Sequence, residues 1–180
     1  ADKKNGTLGV MLDDIFAGIA AANMYNYFSS VLPWYLLKMS DLKSLSYLAI
    51  KRGSKIVSAE SCTAGMLAAS LTEMPGSSAF FEQGYITYSN SSKISVLGVE
   101  SKTLAKYGAV SEEVAKQMAE GALNRSNATI AVSITGIAGP GGSEYKPEGL
   151  VCFAIAQKNS EVRVETIEYG PLGRSNIRSS

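Results

Sequence analysis

The stretch SAESCTAG, residues 58–65, sets a carboxylate, two hydroxyls and a thiol side by side at Glu60, Ser61, Cys62 and Thr63. Any of the last three could attack an acyl carbon once a neighbouring base takes its proton. The chain contains no histidine. That removes a Ser-His-Asp arrangement and any zinc site built on imidazole. The base would have to be a lysine, a tyrosine or a carboxylate. YITYSNSSKI, residues 85–94, supplies Tyr88, Asn90 and Lys93. A lysine acts as a base only where burial or another cation lowers its pKa. Read from its residues alone, this stretch is more simply an exposed loop with one solvated lysine. Cys62 rivals Ser61, but no imidazole is present to hold its thiolate, and cysteines beside core strands are commonly packing residues. It ranks below Ser61. A third stretch, ITGIAGPGGS (134–143), has Gly136, Gly139, Gly141 and Gly142 around Pro140. Such a loop lets backbone amides approach a ligand, and it could equally be a structural turn. It is neither GxGxxG nor a Walker A loop, so a nucleoside triphosphate is not implied.

These residues need elements to hold them. KIVSA reads as a short buried strand and TAGMLAASLTEM as a helix ended by PGSS. The 58–65 stretch is therefore expected on a strand-to-helix turn, at the carboxyl end of a strand, where α/β sheets bind ligands. The amides of that helix start are expected to be available to an oxyanion or a phosphate, with ordinary capping as the alternative. FFEQGYITYS alternates like a strand. SEEVAKQMAEGALNRS is an amphipathic helix capped by Ser111. ATIAVSIT is an apolar strand running into the glycine-rich stretch, and GLVCFAIA and VRVETIEY form a strand pair across QKNSE. DLKSLSYLAIKRG reads as a helix with Asp41 as its cap. Helices alternating with buried strands predict an α/β fold with helices over the sheet.

Composition bounds the rest. With 180 residues, 46% apolar and 18% charged, the chain is globular and long enough for one domain plus a short extra segment. A net charge of +1 without a basic run gives nucleic acid no electrostatic support. Cys62 and Cys152 do not make a metal-binding set. Nothing resembles a secretory signal, so free thiols and a cytoplasmic location are expected. Residues 15–37 carry no charge, which is long enough to cross a bilayer. Asn23, Asn26, Ser29, Ser30 and Pro33 interrupt that stretch. Membrane association through it, or a hydrophobic helix docked on the domain or a partner, are both open. The division expected is an apolar helical segment over 1–40 and an α/β domain over 41–180.

AESCTAG, PGSSAFFEQGYITYSNSSKISVLGV, YGAVSEEVAKQMAEGAL and SITGIAGPGGSEYKPEGLVCFA occur here in one order. Together they resemble the CinA C-terminal domain family, the nicotinamide-nucleotide amidases, over roughly residues 42–170. The resemblance implies a three-layer α/β/α sandwich. It also implies hydrolysis of the carboxamide of nicotinamide mononucleotide to nicotinic acid mononucleotide and ammonia, without a cofactor or metal. By the same resemblance Ser61 is the nucleophile, Lys93 its base, and Tyr88 a polarising or proton-relaying group. Glu60, Thr63, Ser78, Asn90, Thr135, Gly136, Gly139, Gly141 and Gly142 would surround the nucleotide. The family usually carries two glycines after SCT; here the first position is Ala64. The family normally continues into a closing helix beyond GRSNIRSS, so the domain is expected to lack that helix. A homo-oligomer is compatible with the sequence. GTLGVMLDDIFAGIAAANMY is similar to the last stretch of phosphatidylglycerophosphatase A, which would associate Asp13 and Asp14 with a metal site. An inactive nucleotide-binding relative, or a fragment of a fused membrane lipid phosphatase, are the alternative readings.

Overall fold

Alternation along three strands decides which side of the sheet each residue joins. Strand β1 (Ile56–Glu60) pairs in parallel with β2 (Phe81–Ile86) on one side and with β3 (Ile130–Gly136) on the other. Strand β3 pairs antiparallel with β4 (Leu150–Gln157), and β4 with β5 (Arg163–Glu168). The order β2-β1-β3-β4-β5 makes a mixed five-stranded sheet. These elements come from a computed structural model that describes residues 34–180, with side chains from Asp41 onward. The Asp13–Asp14 pair and most of the uncharged stretch lie outside the described residues.

Ile56, Ile130, Val132, Ile134, Val151 and Phe153 face one layer. It is built by helices α1 (Trp34–Arg52), α2 (Met66–Thr72) and, at the chain's last turn, α5 (Arg174–Ser179). Their neighbours Val57, Ala59, Ala131, Cys152, Ala154 and Ala156 face the other layer. There α3 (Ser101–Tyr107) and α4 (Glu112–Asn124) contribute Leu104, Val114, Ala115, Met118, Ala119 and Ala122. Small residues on both partners bring α4 close to the sheet. The three-layer α/β/α expectation is the fold observed. Ser111 caps α4 as expected, its Oγ accepting from the Val114 N–H at 3.3 Å.

Two boundaries differ from the sequence reading. Asp41 does not start a helix; α1, described over Trp34–Arg52, runs through it. A terminal helix, α5, is present where none was read, seated through the buried Ile177. Among the described residues no helix is long and apolar enough to cross a membrane.

Among the described side chains of α1, at positions 41–52, Leu42, Leu45, Ser46 and Ala49 are buried, and a fragment that starts at residue 41 keeps all four. A fragment of residues 41–180 is therefore expected to fold by itself and to unfold within about 4 °C of the full chain. Thermal unfolding of both checks this. A fragment that aggregates while the full chain stays soluble would show that residues 1–40 cover part of this domain.

Candidate active site

Parallel pairing brings the carboxyl ends of β2, β1 and β3 to one height, with Glu60 in register with both Ile86 and Ile134. Residues that come after these three strands must converge there. Ser61 leaves β1, and its N–H donates to the Ile134 carbonyl at 2.9 Å, which ties the turn to β3. At Gly136 a β-carbon would lie 2.8 Å from Val151 Cγ2 and 3.1 Å from Cys62 Sγ. Glycine at that position is what lets β3 approach the turn.

After β2 the chain makes a helical turn, Asn90–Ser92, capped by Ser89, and then a π-helical turn, Lys93–Leu97. The far end of that turn rests on α4. A side chain at Gly121 would put its β-carbon 2.0 Å from the Leu97 carbonyl oxygen. The turn, so seated, carries Lys93 into the protein. Lys93 is 1% exposed. Its Nζ donates to Ser61 Oγ at 2.9 Å, to the Thr87 carbonyl at 2.7 Å and to the Tyr88 carbonyl at 3.4 Å. Burial pushes its pKa down to about 8, with only the Cys62 thiol acting in the other direction. At neutral pH an appreciable minority of molecules thus holds a neutral amine against the serine hydroxyl. The solvated-lysine alternative is excluded. Burial pushes the Cys62 thiol up to about 11, which keeps it protonated and weighs against it as the nucleophile.

The other expected site residues divide. Thr135 and Gly136 end β3 at the right place; Thr135 is buried and its hydroxyl donates to the Ala109 carbonyl at 2.8 Å. Asn90 opens the turn that bears Lys93 and is exposed. Gly139, Gly141 and Gly142 lie in the loop after β3, which Glu148 closes on itself by accepting the Gly141 N–H at 2.5 Å. Tyr88 is a correction: its carbonyl, not its hydroxyl, faces Lys93. The hydroxyl accepts from Arg174 Nη2 at 2.8 Å, on a side chain 57% exposed. Ser78 is a second correction. It precedes β2 at the opposite end of the sheet, where its carbonyl accepts from Lys55 Nζ at 2.8 Å. The buried Oγ1 of Thr63 has no hydrogen-bond partner among the described residues. Thr63 lines a cavity of about 220 Å³ together with Leu42, Met66 and Ile177, in the layer of α1, α2 and α5.

Glu60 is a third correction. It is fully buried and turned back under the helix start. Its carboxylate accepts from the N–H groups of Gly65 (2.9 Å), Leu67 (3.1 Å) and Ala68 (2.9 Å), and from Ser58 Oγ (3.2 Å). The start of α2 is thereby filled from within the protein, and the amides expected to receive an oxyanion or phosphate are occupied. Ala64 takes φ +50°, so the position where the family usually has glycine does need a left-handed residue, which costs alanine on the order of 1 kcal/mol.

Two arginines escaped the sequence reading. Arg174 Nη1 donates to the Gly139 carbonyl at 3.0 Å while its Nη2 reaches Tyr88, so it spans from the glycine-rich loop to the end of β2. Arg178, one helical turn further, donates to the carbonyls of Cys62 and Thr63 at 3.0 and 3.3 Å. The available signal was their i, i+4 spacing around an apolar Ile177.

A three-layer α/β domain with a buried serine–lysine pair at the carboxyl ends of its parallel strands is a defined class of site, suited to acyl chemistry without histidine. The chain belongs to the CinA C-terminal domain family, whose model matches residues 40–180. It is 56% identical over 122 residues to a CinA-like protein of Chlorobium phaeobacteroides (strain BS1), covering 66% of this chain and 29% of that protein. The chain thus spans less than a third of the length of the curated relatives it matches. Among solved structures it is similar to the competence/damage inducible protein from Agrobacterium tumefaciens, with 45% identity and a TM-score of 0.72, covering 83% of this chain and 90% of that one. A CinA superfamily protein from Escherichia coli is 29% identical with a TM-score of 0.76, covering 88% and 92%.

Proposed function

We propose that this domain is an amidase that hydrolyses the carboxamide of nicotinamide mononucleotide to nicotinic acid mononucleotide and ammonia. The observation that carries the reading is the 2.9 Å contact between Ser61 Oγ and a buried Lys93 amine. Ser61 Oγ attacks the carboxamide carbon while the neutral amine takes its proton. The resulting ammonium returns a proton to the departing nitrogen, ammonia leaves, and an acyl-serine remains. Water, deprotonated by the same amine, then releases the acid. Across residues 61–68 the N–H groups of Cys62 and Thr63 are the two that donate to no oxygen atom among the described residues. They lie by the Cys62 thiol, whose pKa they pull down against the larger effect of burial. With the start of α2 occupied by Glu60, these are the donors left in the turn for the oxyanion.

The substrate's phosphate calls for a cation, and Arg174 is the exposed one at this end of the sheet that joins both loops. Arg174→Ala is expected to raise KM for nicotinamide mononucleotide about tenfold, the loss of one charge-assisted contact. Turnover of nicotinamide riboside, which lacks the phosphate, should stay the same. Equal losses on both substrates would place the phosphate elsewhere. The reading as a whole is tested by incubating the purified chain with nicotinamide mononucleotide and measuring ammonia and nicotinic acid mononucleotide together. A folded chain that binds the nucleotide and releases neither product would be a binding module.

A further inference from the structure

The two halves of the Ser61–Lys93 pair are held by different parts of the fold. Lys93 is fixed by the π-helical turn seated on Gly121 and by the Thr87 carbonyl. Ser61 sits on a turn that Arg178 holds from the far side, through the carbonyls of Cys62 and Thr63. The Ser61 N–H reaches Ile134, the Ala64 and Met66 N–H groups make short loop bonds to the Ser61 and Thr63 carbonyls, and Ala64 is left-handed. The start of α2 has no side-chain cap of its own, since Gly65 stands there. The one group that joins the strand before Ser61 to the helix after it is the Glu60 carboxylate. It takes one donor from β1 and three from the helix start. A fully buried carboxylate is tolerated where donors of this kind satisfy it.

We propose that Glu60 is a positioning residue for the nucleophile: its carboxylate clamps the strand-to-helix turn across residues 61–64 and so keeps the Ser61 hydroxyl on the Lys93 amine. It touches neither substrate nor base. A hydrogen bond at 2.9 Å between two separately held elements is lost by a displacement of under 1 Å, and displacements of that size are costly to reaction rates. The clamp also accounts for a carboxylate beside the nucleophile that faces away from the ligand end of the sheet. The proposal rests on the amidase reading for its kinetic part alone.

The test is Glu60→Gln in the full chain. Glutamine keeps the volume, but its NH2 group cannot accept, so one or more of the three helix amides loses its partner. The first readout is the titration of Lys93 by NMR of 13C-labelled lysine, which needs no substrate. The Cys62 thiol is the titratable group that faces its amine. Removing a negative charge and losing the Ser61 Oγ acceptor would each lower the pKa of Lys93, but burial is the larger cause of its depression, so water admitted at Nζ raises it. The proposal expects a rise of about one unit. On nicotinamide mononucleotide it expects kcat to fall about 10- to 100-fold with KM within about threefold. Ser58→Ala, which removes one of the four donors, should move the titration the same way by less, and it decides the matter if Glu60→Gln does not fold. A Lys93 pKa that is unchanged or lower in the folded variant overturns the proposal. If the native chain shows no deamidation, the amidase reading fails while the titration still judges the clamp.

Discussion

Ser61→Ala should reduce deamidation of nicotinamide mononucleotide by about 10⁴-fold or more while leaving the nucleotide's affinity within about tenfold. In the proposed reaction the hydroxyl is the single group that forms the bond to the carboxamide carbon. The two other candidates nearby cannot replace it. Cys62 is buried with its thiol pushed up to about 11, so it carries almost no thiolate at neutral pH. Thr63 lines the cavity in the layer of α1, α2 and α5, and its hydroxyl makes no hydrogen bond among the described residues, to the Lys93 amine included. Removing one oxygen also leaves a space too small to disturb the turn, since the Ser61 N–H bond to Ile134 belongs to the backbone. Rates are measured by ammonia release and affinity by calorimetric titration. Native turnover in the Ser61→Ala protein would sink the serine mechanism, and loss of affinity together with turnover would mean that the serine binds rather than attacks.

Lys93→Met should lower turnover about 10²- to 10⁴-fold and at the same time raise thermal stability at neutral pH. The native rate should climb through about pH 8, because the neutral amine is the reactive form and burial has brought its pKa there from 10.5. The stability effect has the same origin. Unfolded, the amine binds a proton up to about pH 10.5; folded, it gives that proton up at about 8. Between these values the unfolded state holds more protons, so stability rises with pH, and below about pH 8 the folded protein carries the full cost of a buried ammonium. That cost is on the order of 3 kcal/mol, and methionine, of similar length and apolar, removes it. The variant should unfold at higher temperature than the native chain at pH 7, and the gap should narrow toward pH 10. A pH-independent native rate, with Lys93→Met active and no more stable, would make Lys93 a structural cation.

Much of this site is legible in one dimension because the relevant physics is local. A β-branched run before small and polar residues, then a helix-forming run, fixes a strand-to-helix turn, and Ser61 must lie on it whatever surrounds it. Alternation assigns Ile56 and Val57 to opposite layers without any knowledge of those layers. The same alternation runs on to Ser58 and Glu60, so the inward turn of Glu60 was available in the sequence. It was obscured because a glutamate beside a candidate nucleophile invites a ligand-facing role. The absence of histidine leaves a lysine, a tyrosine or a carboxylate as base, and the order of four motifs identifies the family.

What only the tertiary structure decided is which of these groups meet and in what state. Lys93 reads as a loop residue in sequence; its burial depends on Gly121, 28 positions later, admitting the Leu97 carbonyl so that the π-helical turn can lie on α4. Its lowered pKa is a consequence of that packing and has no local signature. The Tyr88 hydroxyl goes to Arg174, 86 residues away, on a terminal helix too short and polar to announce itself. Ser78 is near Phe81 in sequence, but the parallel pairing of β1 with β2 puts it beside Lys55, at the amino ends of the strands. The sequence by itself determined the fold class, the turn and the residue types for a histidine-free acyl transfer. The sheet's register and the seating of one turn on one helix determined that Ser61 and Lys93 form the pair, because a hydrogen bond between residues 32 apart exists only where independent elements have been brought within its short range.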